Sequence, residues 1–196
     1  MISFLSKFGE GRTPKINFAE HCDPTYDGCT IGVRNYQAFG VKVLLSIGNG
    51  AGSYGLFSAV DAQKVAQYLW DNFLGERLAS RLLADAVLDD VDFDIEEGPN
   101  PTLHYGQLAQ ALKDYGAHAG RRVFISAAPQ CPFPDAHLGR AINTDRDSFV
   151  RCRSCSSSLR RVFWVGGADL GLPLLFPSQT AVPSAPASGD RWRLTQ

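Results

Sequence analysis

Short apolar runs alternate with helix-period stretches along the first three quarters of the chain. Val41-Lys42-Val43-Leu44-Leu45-Ser46-Ile47 is almost continuously apolar, and Gly48-Asn49-Gly50 ends it, so it predicts a buried strand. Ala62, Val65, Ala66, Leu69, Trp70 and Phe73 keep the i, i+3, i+4 spacing of one helix face, and Gly75 supplies a stop. A second strand is predicted over residues 91–95. A further helix follows, with Leu108, Ala109 and Leu112 on one face, then a third strand over 122–127 that Pro129 stops. Residues 1–5 read as the end of another strand. Strand–helix alternation of this kind implies parallel βα units. Right-handed crossovers then leave two architectures, an open doubly wound sheet or an eightfold barrel.

The rhythm stops near Thr144. Residues 146–161 are rich in Arg and Ser, a short apolar run (Val162-Phe163-Trp164-Val165) follows, and 173–189 are rich in Pro, Ser and Ala. Such a composition reads as disordered, and no βα unit is predicted there. The expected organisation is one α/β domain over 1–144 and a tail over 145–196.

Composition narrows the partners. The 196 residues are 44% hydrophobic and 20% charged, an ordinary globular balance with enough material for a sizeable core. A net charge of −1 gives no electrostatic footprint for nucleic acid or a membrane surface. No apolar run approaches the roughly 20 residues of a spanning helix. The first residues lack the features of a signal peptide. Five cysteines make an odd count, so at least one is unpaired or paired elsewhere. Cys22 and Cys29 flank a turn-rich loop that can close as a small disulfide, which needs an oxidising compartment.

Several motifs carry little. Gly48-Asn49-Gly50-Ala51-Gly52 is glycine-rich, but no helix opens directly after it, as a phosphate cradle requires. Cys152 and Cys155 have metal or redox spacing without a second ligand pair. His21, His104, His118 and His137 are scattered, and no metal or cofactor is expected. Tyr68, Trp70 and Phe73 share a helix and read as packing.

The informative stretch is Leu88-Asp89-Asp90-Val91-Asp92-Phe93-Asp94-Ile95-Glu96-Glu97-Gly98. In a strand, alternate side chains share a face. Asp92, Asp94 and Glu96 therefore project one way, and Val91, Phe93 and Ile95 the other. In a barrel the apolar set meets the surrounding helices and the acidic set points inward, with Glu96 at the C-terminal end, where barrel active sites lie. Like charges a few ångströms apart cannot all ionise, and a protein tolerates the conflict mainly where a protonated carboxyl is useful, as in general acid catalysis. A solvated acidic edge does not account for Phe93 and Ile95 between the acids. A divalent-cation site is a further reading of the carboxylates, although such ligands usually come from loops.

The spacing of Asp89, Asp92, Asp94 and Glu96, D-x-x-D-x-D-x-E, resembles the active-site signature of glycoside hydrolase family 18. The flanks are similar to the plant class III chitinases: Lys7-Phe8-Gly9, the run from Ile16 to Cys22, the run from Tyr68 to Gly75, and the run from Ala127 to Asp135. The resemblance runs from Met1 to about Thr144, roughly half of a family barrel, so a partial (β/α)8 barrel is expected. It implies endo-hydrolysis of β-1,4 bonds in chitin by a substrate-assisted retaining mechanism. In that scheme Glu96 is the acid, Asp94 orients the substrate acetamido group, and Asp92 shares a proton with Asp94. Asn17 and Gly50 match positions that touch the sugar chain. The implied partner is chitin or N-acetylglucosamine oligomers, bound by a monomer in an extracellular or vacuolar setting. A cis peptide bond between Ser3 and Phe4 is implied too.

The chain also departs from the family pattern. Asp90 and Asn49 stand where the family has glycine, and Tyr36 stands where it has cysteine. The first barrel strand, a later substrate-contacting tyrosine and a floor tryptophan have no match. Weak activity of this stretch on its own is therefore expected. The other readings are a non-catalytic carbohydrate-binding or glycosidase-inhibitor relative, or an inactive fragment whose sheet edges stay unpaired.

Overall fold

A computed structural model of the chain describes residues 1–18, 28–75, 81–96, 102–129, 135–138, 141, 148–150 and 163–165. The elements are β1 (Ile2–Phe8), β2 (Lys15–Ile16), α1 (Gly28–Ala38), β3 (Leu44–Gly48), β4 (Ser53–Tyr54) and α2 (Ala59–Leu69). A π-helical turn (Trp70–Leu74) continues α2, followed by β5 (Asp90–Asp94), α3 (Thr102–His118), β6 (Ile125–Ala127), β7 (Ser148–Val150) and β8 (Phe163–Val165).

The strands join one sheet in the order β2-β1-β3-β5-β6-β7-β8, with β4 also on β1. Neighbours from β1 through β3, β5 and β6 to β7 are parallel. Each new parallel strand is added on the same side as the last. With right-handed crossovers, growth in one direction keeps the helices on one face, whereas a doubly wound sheet reverses. The sheet is therefore part of a (β/α)8 barrel wall. At its two ends the parallel set meets antiparallel β2 and antiparallel β8.

Several elements escaped the sequence reading. β1 runs on to Phe8, beyond the residues 1–5 read as a strand. Helix α1 buries only Cys29, Thr30 and Val33, too few for a legible stripe. Tertiary bonds hold it instead. Thr30 Oγ1 donates to the Leu83 carbonyl at 3.0 Å, and Gln37 Nε2 donates to Asp89 Oδ2 at 2.9 Å. No strand was predicted beyond Thr144, yet β7 extends the sheet beside β6. Three residues are too few for an alternation signal, so pairing to β6 defines it rather than local propensity.

Helix α2 behaves as its periodicity predicts. The Ser58 side chain caps it by accepting from the Asp61 N–H at 3.0 Å. Ala62, Val65, Ala66 and Leu69 are buried on one face, and Trp70 and Phe73 continue that face. Trp70 stacks on Tyr115 of α3 with ring centroids 5.6 Å apart, so the aromatic group is packing.

Tyr105 of α3 is fully buried, and its hydroxyl has no hydrogen-bond partner among the described residues. Burial, and secondarily Tyr54 and Asp61, push this phenol far above its ordinary pKa, so it stays neutral. An unsatisfied buried hydroxyl costs about 1–3 kcal/mol. Tyr105→Phe keeps the ring against Phe93 and removes that cost. The variant is expected to unfold at equal or higher urea concentration than the parent; a clear drop in midpoint would show that the hydroxyl has a partner.

Candidate active site

Strand β5 has two chemically opposite faces. Val91 and Phe93 are buried toward the helices, where the Phe93 ring meets Tyr105 edge-on at 6.0 Å. Asp90, Asp92 and Asp94 alternate with them and are buried as well. Asp92 is level with Ser46 of β3 and Ser126 of β6. Ser46 Oγ donates to Asp92 Oδ2 at 2.8 Å, and Ser126 Oγ donates to Oδ1. A row of small hydroxyls thus takes over the hydration that Asp92 loses by burial.

Asp90, the extra charge relative to the family pattern, is neutralised in place. Its Oδ2 receives Lys42 Nζ at 2.8 Å and its Oδ1 receives the Phe124 N–H at 2.8 Å. Asp89 Oδ2 accepts from the Val43 N–H at 2.7 Å and from Gln37, which ties the start of β5 to β3 and α1.

Glu96 follows the C-terminal end of β5 and is half-buried. Gly50 lies against it: a Cβ built on Gly50 would stand 3.1 Å from Glu96 Oε2. The β3 turn is drawn onto β5 at the same point. A Cβ on Gly48, whose φ is +112°, would come within 2.1 Å of the Asp94 carbonyl oxygen, so only glycine fits. The Asn49 N–H donates to that same carbonyl at 2.9 Å.

Asn49 has φ +107°, a region in which side chains are strained, and its Oδ1 accepts from the Ala51 N–H at 2.7 Å. The local bond offsets part of the strain. Asn49→Ala loses the bond and keeps the strain, so it is expected to cost about 1–2 kcal/mol in urea unfolding. Asn49→Gly loses both and should lie close to the parent. Equal stability of the Ala and Gly variants would contradict this reading of the turn.

Tyr54 of β4 completes the arrangement. Its hydroxyl donates to the Asn49 carbonyl at 2.7 Å and accepts from the Glu96 N–H at 3.0 Å. The sequence reading missed Tyr54, Ser46 and Ser126. The serines carried a signal, a single hydroxyl at an inward position of an otherwise apolar strand. Tyr54 carried none, because β4 is two residues long.

The other expected residues are placed as follows. Gly50 and Glu96 come together. Asn17 is exposed, and its backbone exchanges two hydrogen bonds with Phe4 of β1, two strands from β5. Cys29 is disulfide-bonded; Cys22, the partner expected for it, lies outside the described residues, as do Cys131, Cys152 and Cys155. The Ser3–Phe4 peptide bond is cis. Chemically, the arrangement presents one carboxyl at a strand's C-terminal end beyond a buried acidic row, as proton donation to a bound ligand requires.

Comparison with known proteins gives a consistent picture. The profile described as "Glycosyl hydrolases family 18" matches residues 30–150. An acidic endochitinase of Vitis vinifera is 56% identical over 154 residues, covering 76% of this chain and 50% of that protein. "Acidic endochitinase Pun g 14, amyloplastic" of Punica granatum is 40% identical over 207 residues, covering 96% of this chain and 68% of that one. That match reaches well past Thr144, where the sequence reading found no family likeness. Among solved structures, a chitinase from Ipomoea carnea gives a TM-score of 0.69 at 43% identity, over 76% of this chain and 56% of its own. A xylanase and α-amylase inhibitor protein from Scadoxus multiflorus gives 0.65 at 39% identity, over 76% and 54%. The chain spans about half the length of most of the curated relatives it matches.

Proposed function

Because the chain belongs to family 18 of the glycosyl hydrolases, we propose that its acidic strand serves endo-hydrolysis of β-1,4-N-acetylglucosamine linkages in chitin, with Glu96 as the general acid. The observation that carries this is Glu96 at the C-terminal end of β5, beside Gly50 and beyond the buried Asp92 and Asp94. In this reading the Glu96 carboxyl O–H protonates the glycosidic oxygen as its bond to the anomeric carbon breaks. The substrate's own acetamido carbonyl oxygen attacks that carbon from the other face. Asp94 accepts the acetamido N–H and orients the group. Asp92, held by Ser46 and Ser126, shares a proton with Asp94. Gly50 leaves room for the Glu96 carboxyl and, with Asn17, contacts the sugar chain.

A substrate that supplies its own nucleophile gives a direct test. Chitin oligomers should be cleaved with retention at the anomeric carbon. Cellulose oligomers, which have the same linkage without acetamido groups, should be left intact. Cleavage of both at similar rates would remove the substrate-assisted scheme.

A second reading, carbohydrate binding or glycosidase inhibition without turnover, draws support from the inhibitor protein among the structural neighbours. The complete set Asp92, Asp94 and Glu96 favours the enzyme reading. The disulfide at Cys29 supports an oxidising compartment, extracellular or vacuolar, although the Punica granatum relative's name places that protein in the amyloplast. Among the described residues no helix is long and apolar enough to cross a membrane. We take the working form to be a monomer that binds chitin oligomers and needs no cofactor.

A further inference from the structure

Glu96 lies beyond the last residue of β5, so the strand ladder does not fix its backbone. A general acid outside regular structure needs another constraint, because proton transfer depends on placement to a fraction of an ångström. The described residues contain one.

Tyr54 is buried, and its ring stacks on Phe8 of β1 at 5.2 Å between centroids, nearly parallel at 12°. The stack sets where the hydroxyl can reach. That hydroxyl donates its one proton to the Asn49 carbonyl at 2.7 Å, which leaves a lone pair for the Glu96 N–H at 3.0 Å. Asn49 precedes Gly50, the residue against the Glu96 carboxylate. One phenol therefore holds both the acid's backbone and the turn that faces the acid. Gly52 lets the ring into this position, because a Cβ there would stand 2.4 Å from Tyr54 Cδ1.

We propose that Tyr54 is a positioning residue for the general acid, clamping Glu96 to the Asn49-Gly50 turn through its hydroxyl. The proposal rests on Glu96 being the acid. It predicts a particular pattern of loss. Without the hydroxyl, the Glu96 carboxyl is still present and the sugar can still bind, but the carboxyl is no longer held at the leaving oxygen. Loss should be large where the leaving group needs the proton, as a sugar does, and small where it does not, as with a nitrophenolate. General destabilisation would slow both alike.

The experiment compares the 196-residue chain with Tyr54→Phe in two measurements. Amide hydrogen exchange reads the clamp directly and needs only a folded protein. The Glu96 amide should be protected in the parent and exchange at least tenfold faster in the variant, while amides of β3 and β5 stay protected. A parent Glu96 amide exchanging at the open-chain rate would overturn the proposal, whether or not the variant folds. So would unchanged protection in Tyr54→Phe. The second measurement is turnover of a chitin oligomer and of a nitrophenyl N-acetylglucosaminide. The expected result is a kcat lower by about 10- to 100-fold on the oligomer, with little change in KM and a loss of less than about threefold on the aryl substrate. Equal losses on the two substrates would overturn the positioning role. Glu96→Gln run alongside separates the two claims. If it leaves oligomer turnover unchanged, the acid assignment fails; if it abolishes turnover while Tyr54→Phe does not slow it, only the clamp fails.

Discussion

Glu96→Gln should lower hydrolysis of chitin oligomers by about 10²–10⁴-fold, the usual contribution of a positioned general acid. Glutamine keeps the shape of the side chain and its place beside Gly50, so folding and oligomer binding should be preserved. What it lacks is a proton it can give up to the departing oxygen. The loss should therefore fall on kcat, with KM nearly constant, because the missing interaction exists only in the transition state. The assay is initial-rate hydrolysis of a chitin tetramer beside a binding titration of the same variant. A Glu96→Gln protein that turns over at the parent rate would leave the acid assignment without support.

Two adjacent residues of β5 should fail in opposite ways. Phe93 is buried on the helix side of the strand against Tyr105, and Phe93→Ala leaves a cavity in the core. Phenylalanine-to-alanine changes in such places cost about 3–5 kcal/mol. For a chain of this length that lowers the melting temperature by about 6–20 °C. Asp94, one position on, faces the barrel interior, where Asn keeps the shape but not the charge. Asp94→Asn should keep most of the thermal stability and lose about 10²-fold in oligomer turnover, since the neutral amide cannot stabilise the positive charge that develops on the attacking acetamido group. Melting curves and rates on both variants test the division of the strand into a packing face and a chemical face. If Phe93→Ala lost turnover without losing stability, the two faces would be assigned the wrong way round.

Those two faces were legible before any coordinates because β5 alternates strictly, and a period of two has only one structural meaning. The same clarity gave α2, whose apolar residues repeat with helical spacing. Helix α1 was illegible because only three of its positions are buried, while Thr30 and Gln37 tie it to residues some fifty positions away. Strands β4 and β7 were illegible because two or three residues cannot show a period. The consequence is clearest at the site. The acids stood out in sequence as chemistry, whereas the groups that hold them did not. Ser46 and Ser126 meet Asp92 only once three strands are in register, and Tyr54 reaches Glu96 only after β4 has docked on β1. The charge at Asp90 looked like an added burden in sequence and is met by Lys42 and the Phe124 N–H in the fold.

The central claim is that Glu96 is the proton donor to a glycosidic oxygen. The most direct test is a crystal structure of the Glu96→Gln chain with a chitin tetramer bound. The account predicts an intact oligomer over the C-terminal end of β5, with the residue-96 side chain within about 2.6–3.2 Å of one glycosidic oxygen and Asp94 accepting that sugar's acetamido N–H. An oligomer seated elsewhere on the sheet, or one whose glycosidic oxygens all lie beyond reach of residue 96, would contradict it.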